Sequence, residues 1–372
     1  MKIVINAFSA RLGGGQTYLI RLLENLPSDD IQILLFAPDS LSLPPDPRIR
    51  RGRTWWLVGN PILRAMWERI SLPRILRREQ AEILFCPGGV VATKAPANCR
   101  TVTMFRNMIP FTPELVEQMP WGWDRIRNIL LRYAFLKSFA KADLTIFISH
   151  HARSVVESEG LVRNATVIVH GISEDFRTYA TSLPMPNGAP SSGYILYVSR
   201  FDVYKHHRQV VQAYADVPAE LRRRFPLVLI GEDDLPEAAV VRRMVRELEI
   251  ETDVHIMGAI NYRELPKWYK HAKLVVFASS CENCPNILLE SLGSGRPVLS
   301  SDVMPMPEFG GAEIGYFNPL EPASLTQELK TVLADPVREA QLAEASIRAG
   351  ARYDWTVTAN QTWTALRDLL HT

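Results

Sequence analysis

Long apolar runs are missing from this chain of 372 residues. The longest, at 144–148 and 275–278, fall far short of the ~20 residues a membrane-spanning helix needs. Cysteine is scarce too: Cys86, Cys99, Cys281 and Cys284 are all there are, too few for a disulfide framework. Cys281-Glu282-Asn283-Cys284 has the spacing of a zinc knuckle or redox pair, but structural zinc takes four ligands. No second Cys-x-x-Cys and no His-x-x-x-His follows, so the reading is two small residues packed in a loop, with thiols reduced in the cytoplasm. A cleavable leader is also lacking, since the N-terminus runs straight into an apolar strand pattern at 2–7; retention in the compartment of synthesis is expected. With 47% hydrophobic and 22% charged residues, disorder as the main state is excluded.

Net charge is small, +2, but unevenly spread. Residues 1–180 carry 23 Lys and Arg against 16 Asp and Glu, and the remainder carries 19 against 24. The most basic stretch, 47–78, holds nine Arg and one acid, Glu68, together with Trp55, Trp56 and Trp67. Such a stretch suits an anionic surface.

At ~150 residues per domain the chain makes two domains. Short buried strands at 2–7, 31–36, 82–86, 101–104 and 144–149 alternate with helical patterns. One helix, 17–26, lines up Tyr18, Leu19, Leu22, Leu23 and Leu26; another, 123–140, lines up Ile126, Ile129, Leu130, Tyr133, Leu136 and Ala140 as its core face. Residues 178–193 hold three Pro, two Gly and no charge, which reads as an interdomain linker placed at 179–193. Alternation then restarts, with strands at 194–199, 226–231, 254–257, 274–278 and 297–301. A final helix is expected over 358–370. The pattern predicts an α/β fold of two Rossmann-like parallel-sheet domains, 1–178 and 194–354, facing a central cleft, with 355–372 a C-terminal helix crossing back to the first.

Three segments carry chemistry. Arg11-Leu12-Gly13-Gly14-Gly15-Gln16 follows the first strand and opens a helix, where bare backbone admits an anion. It lacks the Gly-x-Gly-x-x-Gly spacing of a dinucleotide fingerprint, and no Walker lysine is present. In the second domain, Arg200 and Lys205 flank a strand-to-helix loop and can converge on one diphosphate, Arg gripping two oxygens and Lys acting as a point charge. Ser279 to Glu290 forms a third strand-loop-helix unit. Its first-turn amides at Asn286, Ile287 and Leu288 form an anion site, Glu290 is placed to take a diol, and Glu282 faces a hydroxyl-rich group.

In order and spacing these segments resemble the family 4 retaining glycosyltransferases of the GT-B fold, over nearly the whole chain. Glu282 and Glu290 match that family's Glu-(seven residues)-Glu signature. The glycine loop matches as well, as do Ile146 to His151, Val167 to Ile172, Leu229 to Gly231, Val254 to Gly258, Pro297 to Ser301 and Met306 to Glu308. The resemblance implies a nucleotide-sugar in the second domain: diphosphate on Arg200, Lys205 and the amides of the 286–288 turn, ribose on Glu290, base at Gly258, Ala259 and Ile260, with Gly231 on the floor. Glu282, with Asn283 and Cys284, would hold the sugar hydroxyls; Gly14, Gly15, Arg106 and Ser149 would face in from the first domain. It also implies transfer without a metal or cofactor and with retention of anomeric configuration, a donor phosphate oxygen taking the acceptor's proton. A UDP-hexose is the first donor expectation and GDP-mannose the second.

Where many members have His-Asp, this chain has Arg106-Asn107. Arg cannot act as a base at neutral pH, so a contact to donor phosphate or an acidic acceptor is expected there. The Trp and Arg clusters of the first domain, including Trp121 and Trp123, suit a glycan or lipid-linked acceptor and an anionic membrane surface. The expected place is the cytoplasm, on the inner face of the cell membrane. Rival readings are an NDP-sugar epimerase on the same fold and a non-catalytic glycan-binding partner.

Overall fold

A computed structural model describes the whole chain except residues 11–12, 28–29, 55–59, 181 and 372. It divides into two units, Met1–Gly171 with Trp355–Thr372, and Ile172–Asp354. The first holds seven strands: β1 (Lys2–Asn6), β2 (Gln32–Phe36), β3 (Ile49–Arg51), β4 (Ile83–Cys86), β5 (Arg100–Phe105), β6 (Leu144–Phe147) and β7 (Ala165–Val167). They form one sheet in the order β3-β2-β1-β4-β5-β6-β7, every pair parallel. Consecutive residues of β1, Ile3, Val4 and Ile5, are all buried, because helices cover both faces of such a sheet.

The second unit repeats the arrangement with β8 (Ile195–Val198), β9 (Leu227–Ile230), β10 (Val254–Gly258), β11 (Leu274–Phe277), β12 (Val298–Ser301) and β13 (Gly315–Phe317), ordered β10-β9-β8-β11-β12-β13. In each sheet the first strand lies between the second and the fourth. The strand order reverses beside it, and in open parallel sheets the strand C-terminal ends at such a switch point are where ligands bind.

Three features differ from the sequence reading. The boundary falls at Gly171 and Ile172, and the expected linker 179–193 belongs to the second unit. Lys270 Nζ donates to Thr178 O (2.7 Å), and His271 Nε2 bonds Leu183 O (2.8 Å). Pro and Gly there mark irregular backbone, which can pack as firmly as a helix. Secondly, the helix Trp123–Phe139 buries Asn128, Phe135, Ser138 and Phe139, while Ile126, Ile129, Leu130 and Tyr133 lie exposed. Finally, Trp67 is a core residue, edge-on to Phe8 and Phe36 (5.7 and 4.9 Å between centroids), and not part of a ligand surface. Trp55 and Trp56 lie outside the described residues.

The last helix, Trp355–Asp368, packs on Gly14–Glu24 of the first unit. Trp363 Nε1 donates to Leu22 O (3.2 Å), Tyr18 Oη meets Thr362 Oγ1 (3.2 Å), and Thr358 Oγ1 donates to Val169 O (2.8 Å).

Candidate active site

In the second unit the loops after β8 and β11 leave neighbouring strands where the strand order reverses, and both carry charge. Lys205 ends a short 3-10 turn, Val203–Lys205, held in place because Tyr197 Oη donates to the Lys205 carbonyl (2.6 Å). Its ammonium pairs with Glu282 of the β11 loop. Two further bonds stitch these loops together: Ser280 N donates to Tyr204 O (2.9 Å), and His206 Nε2 bonds Ser280 Oγ (2.7 Å). His206 takes a left-handed φ of 53° to make this turn. Both members of the ion pair are largely buried, with side chains 9% and 16% exposed. Desolvation there offsets much of the Coulomb attraction, so the pair sets position more than stability.

Arg200 is more open. Its Nε lies 3.3 Å from Glu232 and 3.7 Å from Asp202. An exposed pair of this kind is worth under about 1 kcal/mol, so the guanidinium is readily turned to a phosphate. Behind the β11 loop, helix Asn286–Gly293 begins. The Asn286 amide is occupied by Cys284 O (2.9 Å), contrary to the expected three open donors. Leu289 N to Pro285 O (3.0 Å) is the first rung of the helix ladder, which leaves Ile287 and Leu288 as the donors of the first turn. The side chains of Asn283 and Cys284 are buried.

Glu290, one turn in, is buried. Burial pushes its carboxyl up to about 7, against the opposing pull of a hydrogen bond from Tyr262 Oη (2.7 Å). Near neutral pH the group therefore switches between donor and acceptor. Tyr262 escapes sequence reading because it lies 28 residues away, and only the fold joins the two. His207 escapes it likewise: it stacks between Tyr197 (4.7 Å) and Phe201 (4.1 Å), and burial holds its imidazole down at about 3, hence neutral.

Two glycines shape the floor. A Cβ on Gly231 would lie 1.8 Å from Ser199 O, so only glycine lets the β8 and β9 ends meet. Gly231→Ala is expected to cost about 3 kcal/mol, the upper end of overpacking penalties, read as a lower urea midpoint; an unchanged midpoint would show that this backbone can part. Gly258 has φ +69°, at a shift in β10 register, and leaves Ala259 exposed and Ile260 half-buried.

In the first unit, Gly13 (φ +60°) starts the helix Gly14–Glu24. Arg106, just past β5, lies beneath that turn: a Cβ on Gly15 would come within 2.6 Å of its Nη2. Burial lowers the guanidinium to about 10, still protonated at neutral pH, and Nη1 has no hydrogen-bond partner among the described residues. A half-buried guanidinium with one buried, unpartnered nitrogen beside bare backbone is an anion-seeking group. Ser149 does something else. Fully buried, its hydroxyl caps helix His150–Glu159 by accepting from Ala152 N (3.1 Å), so it does not present a hydroxyl to a ligand. His170 is buried between Tyr18 (5.5 Å) and Trp355 (5.2 Å).

A model described as "Glycosyl transferases group 1" matches residues 186–349, and one described as "Glycosyltransferase Family 4" matches 12–176. Among curated relatives, the serotype-specific mannosyltransferase WbdA of Escherichia coli is 25% identical over 270 residues, covering 70% of this chain and 32% of that protein. The chain thus spans about a third of WbdA's length. The O-antigen chain mannosyltransferase B of Escherichia coli is 27% identical over 280 residues, covering 72% of this chain and 70% of that one. Among solved structures, Anabaena Alr3699/HepE in complex with UDP-glucose superimposes with a TM-score of 0.72 at 16% identity, over 99% of this chain and 100% of that one.

Proposed function

Because the chain belongs to the family 4 glycosyltransferases and has their GT-B architecture, we propose that it moves a hexose from a nucleoside-diphosphate sugar to a glycan or lipid-linked acceptor in polysaccharide synthesis. The observation that carries this reading is the largely buried Lys205–Glu282 pair at the switch point of the second sheet. A cation and a carboxylate fixed side by side suit a ligand that is anionic at one end and hydroxyl-rich at the other.

Lys205, Arg200 and the Ile287 and Leu288 amides would face the diphosphate, Glu282 the sugar hydroxyls and Glu290 the ribose. As the anomeric C–O bond breaks, its electron pair leaves with the diphosphate and the sugar becomes oxocarbenium-like. Fixed positive charge where that negative charge develops lowers the barrier without reorganisation. The acceptor hydroxyl forms the new C–O bond on the same face and gives its proton to the departing phosphate oxygen, which accounts for retention with no carboxylate nucleophile. Arg106 is unsuited to take a proton, and its half-buried charge fits a phosphate or an acidic acceptor.

A UDP-hexose is the first donor expectation, although no residue reads the base. The mannosyltransferase names of both curated relatives favour mannose, and with it GDP-mannose. Backbone around Gly258 does not discriminate between these bases. A thermal-shift series with UDP-, GDP- and ADP-sugars decides: one nucleotide class is expected to raise Tm, stabilising by about 2.7 kcal/mol at a hundredfold excess over Kd. If none does, the donor assignment fails. Turnover of the sugar without acceptor would favour the epimerase.

A further inference from the structure

The helix Trp123–Phe139 is apolar on two sides, and only one is covered. Phe135 and Phe139 pack against Phe105, with Phe111 and Phe147 beside them. On the other side Trp123, Ile126, Leu130 and Tyr133, spaced three or four apart, line up as one stripe; these and Trp121 are between 44% and 79% exposed. Soluble surfaces seldom leave so contiguous an apolar strip uncovered.

Its chemistry is not merely apolar. The helix has one acid, Asp124, against Arg125, Arg127, Arg132 and Lys137. The Arg125 guanidinium lies 4.2 Å over the Trp121 ring, and Lys137 Nζ lies 5.9 Å from the Tyr133 ring. Lys137 extends the stripe into a cavity of about 720 Å³ whose lining includes Arg69, Lys94, Arg100, Lys137 and Lys141 over small apolar residues of the 90–97 loop. Its one acid, Asp143, is engaged by Arg100 and Arg163 (each 3.5 Å) and by Thr101 N (2.8 Å). Arg69 comes from helix Pro61–Ile70, whose Ile62, Met66 and Ile70, again four apart, are also exposed. Two apolar stripes thus border one cationic hollow.

We propose that this face docks on an anionic phospholipid bilayer, the stripes sinking to the acyl boundary and the hollow taking a lipid headgroup phosphate. Trp and Tyr favour the headgroup level, Leu and Ile the layer beneath, and Lys and Arg the phosphates. The surplus of cations supplies the charge complement. Because Asp143 directly precedes β6, the Lys137 end of the helix lies at the strand N-termini and the Trp121–Trp123 end at the strand C-termini, where Gly15 and Arg106 lie. The docked face therefore runs the height of the sheet and brings its ligand end to the bilayer, where a lipid-linked acceptor would emerge.

The full chain is sedimented with phosphatidylcholine vesicles, with and without about a third phosphatidylglycerol, in about 50 mM and about 500 mM salt. Pelleting is expected with the anionic vesicles only, at least tenfold weaker in high salt. It should also be about tenfold weaker for Leu130→Glu/Tyr133→Glu and for Lys137→Glu/Lys141→Glu, with Tm unchanged because these side chains are exposed. The proposal is overturned if wild type stays in the supernatant at low salt, or if the variants pellet like wild type. It is overturned equally if inorganic phosphate raises Tm while vesicles do not bind, or if Leu130→Glu dissolves a dimer, which would make a second copy the partner.

Discussion

In Lys205→Ala, transfer from the nucleotide-sugar falls at least about 100-fold in kcat/KM, the loss of about 3 kcal/mol of transition-state stabilisation. Lys205 is fixed by Tyr197 through its carbonyl and by Glu282 through its ammonium, so its charge costs no reorganisation when the diphosphate departs. Truncation also strands Glu282 in a site only 16% exposed. Breaking a fully buried pair costs about 3–5 kcal/mol, and residual solvent access brings this pair below that range. Lys205→Ala/Glu282→Gln is therefore expected to regain the urea midpoint without regaining activity. Nucleoside diphosphate release and urea melts separate the two effects; a single variant within about threefold of wild-type kcat/KM would remove Lys205 from the reaction.

Glu290 produces the second large effect, on stability and on donor binding together. Its carboxyl titrates near 4.5 in the unfolded chain and near 7 in the folded one. Between those values the folded state keeps a proton that the unfolded state has released. Stability is therefore intact below the lower value and is lost as pH rises through the upper one, by about 3 kcal/mol at 1.4 kcal/mol per unit. Glu290→Gln should remove this slope and be the more stable protein at pH ~8 by a similar amount. Comparing the two proteins at pH ~5 and pH ~8 in urea isolates the group, since Glu68, which burial also raises, acts in both. Ribose hydroxyls need the ionised form as acceptor, so the donor-induced rise in Tm should grow from pH ~6 to pH ~8 in wild type alone. Parallel pH profiles in both proteins would sink this account.

The central strands were legible because both faces of β1, β4, β8 and β11 are buried, which demands unbroken apolar runs. Of the four edge strands only β10, expected at 254–257, was. β3 is Ile-Arg-Arg, and β7 and β13 are three residues each; an edge is half solvated and tolerates charge. In the site, glycine loops and cations at strand ends could be read from local pattern. The bonds between them could not: Lys205 meets Glu282 across 77 residues, Tyr262 meets Glu290 across 28, and Arg106 lies under Gly15. Periodicity in the helix Trp123–Phe139 revealed that apolar faces exist, but not which one meets the core.

The division of the chain into units also bears on its synthesis. Residues 172–354 are contiguous, so that unit has every strand it needs before the polypeptide is finished. The unit made first does not: Tyr18 and Leu22 wait for Thr362 and Trp363, 344 and 341 residues further on. On the ribosome the later-made half can thus close its core while the earlier-made half still lacks a wall, and any premature stop before the final helix leaves the leading half unfinished.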